Sequence, residues 1–292
     1  MILTGMHKAY VRTAIAAVYL ISSIGVFAQP TPLPHAFSHN DYWNKQPLHD
    51  ALENGYTNIE ADVFLRRGNL IVAHINPYFK AHRQLEELYL KPLLRHISRN
   101  NGMVYFNYHT PITLLIDIKS DGDQTYKILK PILEKYRSIL TSYNNGVVIP
   151  KAVTIVISGN KPYDTIKGET TRLVFIDNDL RATTTNSAQT NVYTMASCKY
   201  SKLVKWNGYG SFPQSQKEKL IHYIKLAHSR GEKVRLWASP DNIAVWGELL
   251  KCGVDLINTN KLVALKNFLI SAFTDNGKDF LEPESKYVAL SK

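Results

Sequence analysis

The chain has 292 residues, 45% hydrophobic and 20% charged, enough apolar material for a large core. That balance excludes a disordered chain and a miniprotein that needs staples. Its 35 Lys and Arg against 24 Asp and Glu give a formal charge of +11, which favours anionic partners. The two cysteines, Cys198 and Cys252, exclude a disulfide-dense scaffold and a Cys-rich zinc module. Whether they pair or stay as buried thiols is open at this point.

Lys8 and Arg12 precede an uncharged run of 15 residues, Thr13 to Phe27, and Val26-Phe27-Ala28 stands before Gln29. A basic start, a short apolar stretch and this ending predict a secretory signal peptide over residues 1–28, cleaved after Ala28. The run is shorter than the ~20 residues of a membrane-spanning helix. Those 28 residues hold two basic side chains and no acidic ones, so 264 residues remain with a charge of +9. The expectation is an exported protein, periplasmic or extracellular, in a compartment that permits a disulfide.

Behind a Pro-rich linker from Gln29 to Pro34, short apolar runs alternate with longer amphipathic ones. Strands are predicted at His35 to His39, Thr57 to Phe64, Leu70 to His74, Thr113 to Lys119, Ala152 to Ser158 and Arg172 to Ile176. Three more follow at Lys202 to Trp206, Lys233 to Ala238 and Val254 to Thr259. Helices are predicted at Pro47 to Asn54, His82 to Arg99, Gln124 to Leu140, Gln214 to Ser229, Asp241 to Cys252 and Lys261 to Ala272. Arg66-Arg67-Gly68-Asn69 reads as a hairpin turn, so the second and third strands count as one element and eight remain. Eight strand elements in about 250 residues predict an α/β fold of the (β/α)8 TIM barrel type, with its active site at the C-terminal ends of the strands. The barrel is expected to occupy residues 29–273 as a single domain, with a polar tail over 274–292. A doubly wound sheet is the rival, but the chain has neither GxGxxG nor GxxxxGK[ST]. The pattern is least regular over Lys161 to Lys199.

Polar residues recur at the predicted strand ends. The first strand ends in His39-Asn40-Asp41-Tyr42, the second carries Glu60 and Asp62, the hairpin strand ends at His74, and the third element carries Asp117 and Lys119. Side chains two apart share one face of a strand, and inside a barrel that face is the axis. Three carboxylates in one barrel mouth repel unless a cation joins them, and an all-oxygen set suits Mg²⁺ or Ca²⁺. Zinc is disfavoured, since the chain has no HxH, no HExxH and no Cys partner. A purely structural network, with Lys119, Arg66 and Arg67 neutralising Glu60, Asp62 and Asp117, is the alternative. His39 and His74 beside the acids supply a proton acceptor and a proton donor near neutral pH. A cation with such a pair fits phosphodiester cleavage.

With these residues in this order, the chain resembles the PLC-like phosphodiesterase superfamily, which includes glycerophosphodiester phosphodiesterases, phosphatidylinositol-specific phospholipases C and sphingomyelinases D. The resemblance rests on His39-Asn40-Asp41, Glu60-Ala61-Asp62, His74 and Asp117-Ile118-Lys119, with later support from Val234-Arg235-Leu236-Trp237 and Gly253 to Asn260. It implies a (β/α)8 barrel in which His39 and His74 are general base and acid. It also implies that Glu60, Asp62 and Asp117 bind one divalent cation, Mg²⁺ or Ca²⁺, and that Lys119 contacts phosphate. Asn40 and Trp237 join Lys119 as expected substrate-binding residues. His39-Asn40-Asp41 replaces the His-Arg-Gly of glycerophosphodiesterases, Asp117 stands where they have Glu, as in sphingomyelinase D, and Asn260 replaces an Asp.

The expected function is therefore an exported, metal-dependent phosphoric diester hydrolase, or a lyase forming a cyclic phosphate, on glycerophosphodiesters or phospholipid headgroups. A non-catalytic barrel that binds phosphorylated ligands or anionic surfaces is the alternative. A glycoside hydrolase is weaker, because Glu60 and Asp62 share one strand and cannot flank a sugar. The basic residues are scattered and no nucleic-acid motif accompanies them, so no nucleic acid is expected. Peripheral contact with an anionic membrane is compatible with the charge, and a monomer is expected. Tyr42, Trp43, Tyr78, Phe79, Trp206 and Tyr209 are expected to line or cap the mouth.

Overall fold

Strand residues that face a core on both sides read as continuous apolar runs. The computed structural model, which describes residues 30–75, 83–182 and 191–273, folds these runs into strands. In chain order they are β1 (Leu33–Ser38), β2 (Tyr56–Arg66), β3 (Asn69–Val72), β4 (Ile112–Ile118), β5 (Ser142–Asn144) and β6 (Val147–Ile149). The second half adds β7 (Val153–Gly159), β8 (Thr171–Arg172), β9 (Val174–Asp179), β10 (Tyr193–Lys199), β11 (Lys233–Trp237) and β12 (Ile257–Thr259). Eight of them line up as β11, β10, β9, β7, β4, β2, β1, β12, every neighbour parallel. A parallel bridge between Arg235 and Leu256 links the two ends, which makes a nearly closed (β/α)8 barrel. Strand β3 folds back on β2 through the predicted turn, where Arg67 and Gly68 take left-handed φ angles of 48° and 76°. Strands β5, β6 and β8 form a small antiparallel sheet of their own.

The crossover segments carry α1 (His49–Glu53), α2 (Lys91–Arg99), α3 (Gly122–Glu134), α4 (Tyr163–Gly168), α5 (Gln214–Ser229), α6 (Ile243–Lys251) and α7 (Leu262–Phe273). Asp121 and Asn242 cap α3 and α6 by accepting from the Gln124 and Val245 N–H groups at 2.9 and 3.0 Å. Outward strand residues such as Ile59, Leu114 and Ile155 pack with Leu93 and Ile97 of α2 and Leu129 and Leu133 of α3 into one continuous core. Inside the barrel lies a second core: Phe37, Leu115, Val156, Phe175, Met195 and Leu256.

Two predicted elements need correction. The sixth barrel strand is Tyr193–Lys199, not Lys202 to Trp206. In the latter segment the Lys205 and Trp206 N–H groups donate to the Gln216 side-chain oxygen, at 2.6 and 3.3 Å, so a side chain satisfies them instead of a neighbouring strand. The helix expected over Gln124 to Leu140 starts at Gly122 and stops at Glu134, after which a tight turn from Tyr136 N–H to Leu133 O breaks the α pattern. Cys198 and Cys252 are free buried thiols, their pKa values pushed up by burial to about 12 and about 11, which leaves them unreactive. The expected leader, the tail from Thr274, and Tyr78, Phe79 and His82 lie outside the described residues. Among the described residues, no helix is long and apolar enough to cross a membrane.

Candidate active site

Two residues beyond the inner apolar core, the same face of six barrel strands turns polar. His39 follows Phe37, Asp117 follows Leu115, Ser158 follows Val156, Asp177 follows Phe175, Ser197 follows Met195 and Asn258 follows Leu256. His39, Asp117, Ser158, Asp177 and Ser197 of this layer line a cavity of about 430 Å³ at the C-terminal ends of the strands. All eight site residues expected from the sequence line it: His39, Asn40, Glu60, Asp62, His74, Asp117, Lys119 and Trp237.

Glu60, Asp62 and Asp117 each place a carboxylate oxygen within 4.8 Å of the others. Their oxygens are unequally used. Glu60 Oε1 accepts from Arg235 Nη2 at 3.0 Å, and Glu60 Oε2 accepts from the Asn40 N–H at 3.2 Å, with His39 Nε2 at 3.6 Å. Asp62 Oδ2 is ringed by the Tyr42 hydroxyl at 2.8 Å, Lys119 Nζ at 3.1 Å and His74 Nδ1 at 3.3 Å. Asp117 Oδ2 accepts from Lys119 Nζ at 2.8 Å. Asp62 Oδ1 and Asp117 Oδ1 are buried and find no hydrogen-bond partner among the described residues. A buried carboxylate oxygen left bare is costly, and Glu60, Asp62 and Asp117 would offset that cost by holding a hard divalent cation. The donor set therefore fits Mg²⁺ or Ca²⁺. Gly159, at φ +69°, keeps this arrangement open, since a Cβ there would come within 2.0 Å of Asp117 Oδ1.

The electrostatics follow the same division. Burial, then the Glu60 charge, pushes Asp62 up to about 6 against the pull of Lys119, and burial also raises Asp117. Burial opposes ionisation of Glu60 too, but Arg235 and His39 outweigh it and hold its carboxyl below the usual range. Burial depresses the His39 pKa despite the nearby Glu60 charge, so its ring is neutral at pH 7. Its Nδ1 lies 3.0 Å from Asn260 Oδ1 and 3.2 Å from Asn40 Nδ2. His74 is half exposed and sits 3.1 Å from the Tyr42 hydroxyl.

Several site residues were not assigned from the sequence. Arg235, 2% exposed, lies beneath the acids, donates from Nε to Asn258 Oδ1 at 2.8 Å and stacks 4.0 Å from the centre of the Phe37 ring. An arginine two positions before Trp237 in an apolar strand was the available signal. Tyr42, grouped above with the mouth aromatics, is buried and sets its hydroxyl among Asp62, Asn40 and His74. Burial raises its pKa far above the usual phenol range, so it stays neutral. Asn40, in a left-handed conformation, turns its amide toward Tyr42 and His39 and thus positions both. Lys119 and Arg235 supply the neutralising charge expected from Lys119, Arg66 and Arg67.

Two family models match this chain. Residues 26–177 match the AIM6-like phosphodiesterase domain, and residues 233–262 match the glycerophosphoryl diester phosphodiesterase family. The Altered inheritance of mitochondria protein 6 of Eremothecium gossypii is 30% identical over 284 residues, covering 85% of this chain and 72% of that protein. The protein of the same name from Lachancea thermotolerans is 28% identical over 275 residues, covering 79% and 64%. The homolog from Arthroderma benhamiae is 28% identical over 266 residues, covering 81% and 84%. None of those names states a reaction. The first family model spans more than half of the residues, and the barrel and its acidic strand ends agree with it: the chain belongs to the AIM6-like phosphodiesterase domain family, within the PLC-like phosphodiesterase superfamily.

Proposed function

We propose that this protein is a metal-dependent phosphoric diester hydrolase, or a lyase releasing a cyclic phosphate, that acts on glycerophosphodiesters or phospholipid headgroups after export. The observation that carries this reading is the pair of bare, buried oxygens, Asp62 Oδ1 and Asp117 Oδ1, grouped with Glu60 and flanked by two histidines. Glu60, Asp62 and Asp117 would hold a divalent cation, which would supply Lewis-acid polarisation of a non-bridging phosphate oxygen. His39, kept neutral by burial, takes the proton of the attacking hydroxyl or water. His74, oriented by Asp62 and the Tyr42 hydroxyl, gives a proton to the leaving oxygen. Lys119 shields Asp62 and Asp117 from each other and presents its ammonium to the phosphate. Arg235 fixes Glu60 from below, and Trp237, 40% exposed, forms part of the cavity wall.

The test assays the protein without residues 1–28 against glycerophosphodiesters, phosphatidylinositol and lysophospholipids, with Mg²⁺, with Ca²⁺ and with EDTA. Turnover is expected to require a divalent cation and to fall by at least about 10³-fold in His39→Ala and in His74→Ala. Tight phosphate binding without turnover, unaffected by both substitutions, would identify a non-catalytic binding barrel instead. Export is checked by N-terminal sequencing of the mature protein, expected to begin at Gln29.

A further inference from the structure

The cavity has a second wall that the chemistry above does not use. It is formed by Lys161, Asp177, Asp179, Arg181, Lys199 and Lys202, on and after strands β7, β9 and β10. Arg181 is spent on Asp179, donating from Nη2 to Oδ2 at 2.7 Å and from Nε to Oδ1 at 3.0 Å. Lys161 Nζ donates to the Asp177 backbone oxygen rather than to its carboxylate. Among the described residues, Lys199 and Lys202 make no ion pair with a carboxylate, and both are exposed, with Lys199 Nζ 5.8 Å from the centre of the Trp237 ring.

Counting charges separates the two halves of the cavity. In the half that holds the acids, Glu60, Asp62 and Asp117 face Lys119 and Arg235, a surplus of one negative charge. A divalent cation converts this to one positive charge, which the single negative charge of a phosphodiester cancels. On the opposite wall four cations face two carboxylates, so two positive charges remain after the scissile group has been neutralised. Ammonium groups act on phosphate as point charges, and a phosphate monoester brings close to two negative charges to one centre, which a carboxylate does not.

Resting on the phosphodiesterase reading above, we propose that this wall is a second anion subsite and that the substrate is a phosphodiester carrying another phosphate group beside the scissile one. The second group is either a monoester or a further diester. The scissile phosphate lies over the acids, and Lys161, Lys199 and Lys202 hold the other.

The test uses three soluble substrates with one common core: glycerophosphoglycerol, the same compound bearing a terminal phosphomonoester, and deacylated cardiolipin, which bears a second diester. With Mg²⁺ present, kcat/KM is expected to favour the phosphomonoester over glycerophosphoglycerol by about tenfold, mostly through KM, with deacylated cardiolipin between them. In the Lys199→Met/Lys202→Met protein that ratio falls to about one, and its dependence on salt weakens. Both side chains are exposed, so the melting temperature serves as a control for folding. Equal kcat/KM for the three substrates, or a preference that survives the double substitution, overturns the subsite and leaves the phosphodiesterase reading intact. If none of the three is cleaved, that reading fails for these substrates, and titration calorimetry of the same compounds decides the subsite separately. Tighter binding of the phosphomonoester that is lost in the double variant supports it; equal binding overturns it.

Discussion

The inner face of the barrel holds two layers, two residues apart along six of its strands, in very different electrostatic states. Phe37, Leu115, Val156, Phe175, Met195 and Leu256 form the lower one, all 2% exposed or less. His39, Asp117, Ser158, Asp177, Ser197 and Asn258 form the upper one, reached by moving two residues toward the C-terminus. The strands are the same, and so is the face. The apolar layer shuts out water from below, and this raises the cost of every charge placed on it. Asp62, Asp117 and Asp177 are accordingly all pushed up by burial. Fixed cations lower that cost unevenly: Glu60 has Arg235, whereas Asp62 and Asp117 share Lys119 and keep one bare oxygen each. The barrel thus gathers at one spot a surplus of negative charge that a cation would offset.

Extending the apolar layer upward by one step is the most direct way to break this contrast. Arg235→Met does so, since Arg235 already stacks on Phe37. Apolar burial increases, yet the substitution is expected to destabilise the protein by about 4 kcal/mol, because Glu60 is left as an uncompensated buried charge. Urea denaturation measures the loss. Adding Glu60→Gln to the same chain is expected to recover most of it. A neutral or stabilised Arg235→Met protein would show that the ion pair does not hold the upper layer together.

The contrast was partly legible in the sequence. Parallel strands covered on both faces announce themselves as runs such as Leu114-Leu115-Ile116, and a charged residue directly after such a run stands out. Hence Asp117 and Lys119 could be placed, with Glu60 and Asp62 as two acids sharing one face of a strand and His39 and His74 as polar residues closing strands. The pattern failed where a strand was itself half polar. Tyr193–Lys199 buries Met195 and Ser197 inward and Ala196 and Cys198 outward, so it shows neither a run nor a clean alternation. With it went Ser197, which donates to Asp177. The fifth predicted strand ended at Ile176, one residue short of Asp177. Arg235 was visible as a motif residue, but its contact with Glu60 joins positions 175 apart in the chain, which local patterning does not reveal.

The bare oxygens make a second, somewhat smaller prediction about pH. Burial pushes Asp62 up to about 6 in the folded protein from an ordinary value of 3.8, so the native state holds its proton more tightly than the unfolded chain. The stabilising contribution is complete below about pH 4 and is lost as pH rises through about 6. The loss amounts to at most about 3 kcal/mol. Asp177, also raised to about 6, acts with the same sign, so the diagnostic quantity is the difference between wild type and Asp62→Asn. In EDTA, the wild-type melting temperature is expected to fall between about pH 4 and pH 6.5 more steeply than that of Asp62→Asn. Mg²⁺ or Ca²⁺ should raise it strongly at about pH 7.5 and weakly at about pH 4.5, where the ligands are protonated. Equal slopes for the two proteins would mean that Asp62 does not hold its proton more tightly when folded, and an equal cation effect at both ends would mean that the oxygens are not a cation site.

The smallest expected effect sharpens the upper layer rather than breaking it. Burial holds the His39 pKa low, while the Glu60 charge and the side-chain oxygen of Asn260 pull it upward. An amide at position 260 can face Nδ1 with either its oxygen or its nitrogen, whereas a carboxylate can only accept. Asn260→Asp therefore fixes the proton on Nδ1, leaves Nε2 as the base, and stabilises the imidazolium. The acid limb of kcat/KM is expected below the usual histidine range in wild type, and about one unit higher in Asn260→Asp. The Asp241 carboxylate, whose Oδ2 accepts from the Asn260 N–H at 3.2 Å, adds to the upward shift. A cation held at Glu60 would weaken the pull of that charge on His39 and would lower both limbs together, so the difference between the two proteins would survive metal loading. A limb that does not move would assign the base to another group and leave His39 a positioning role.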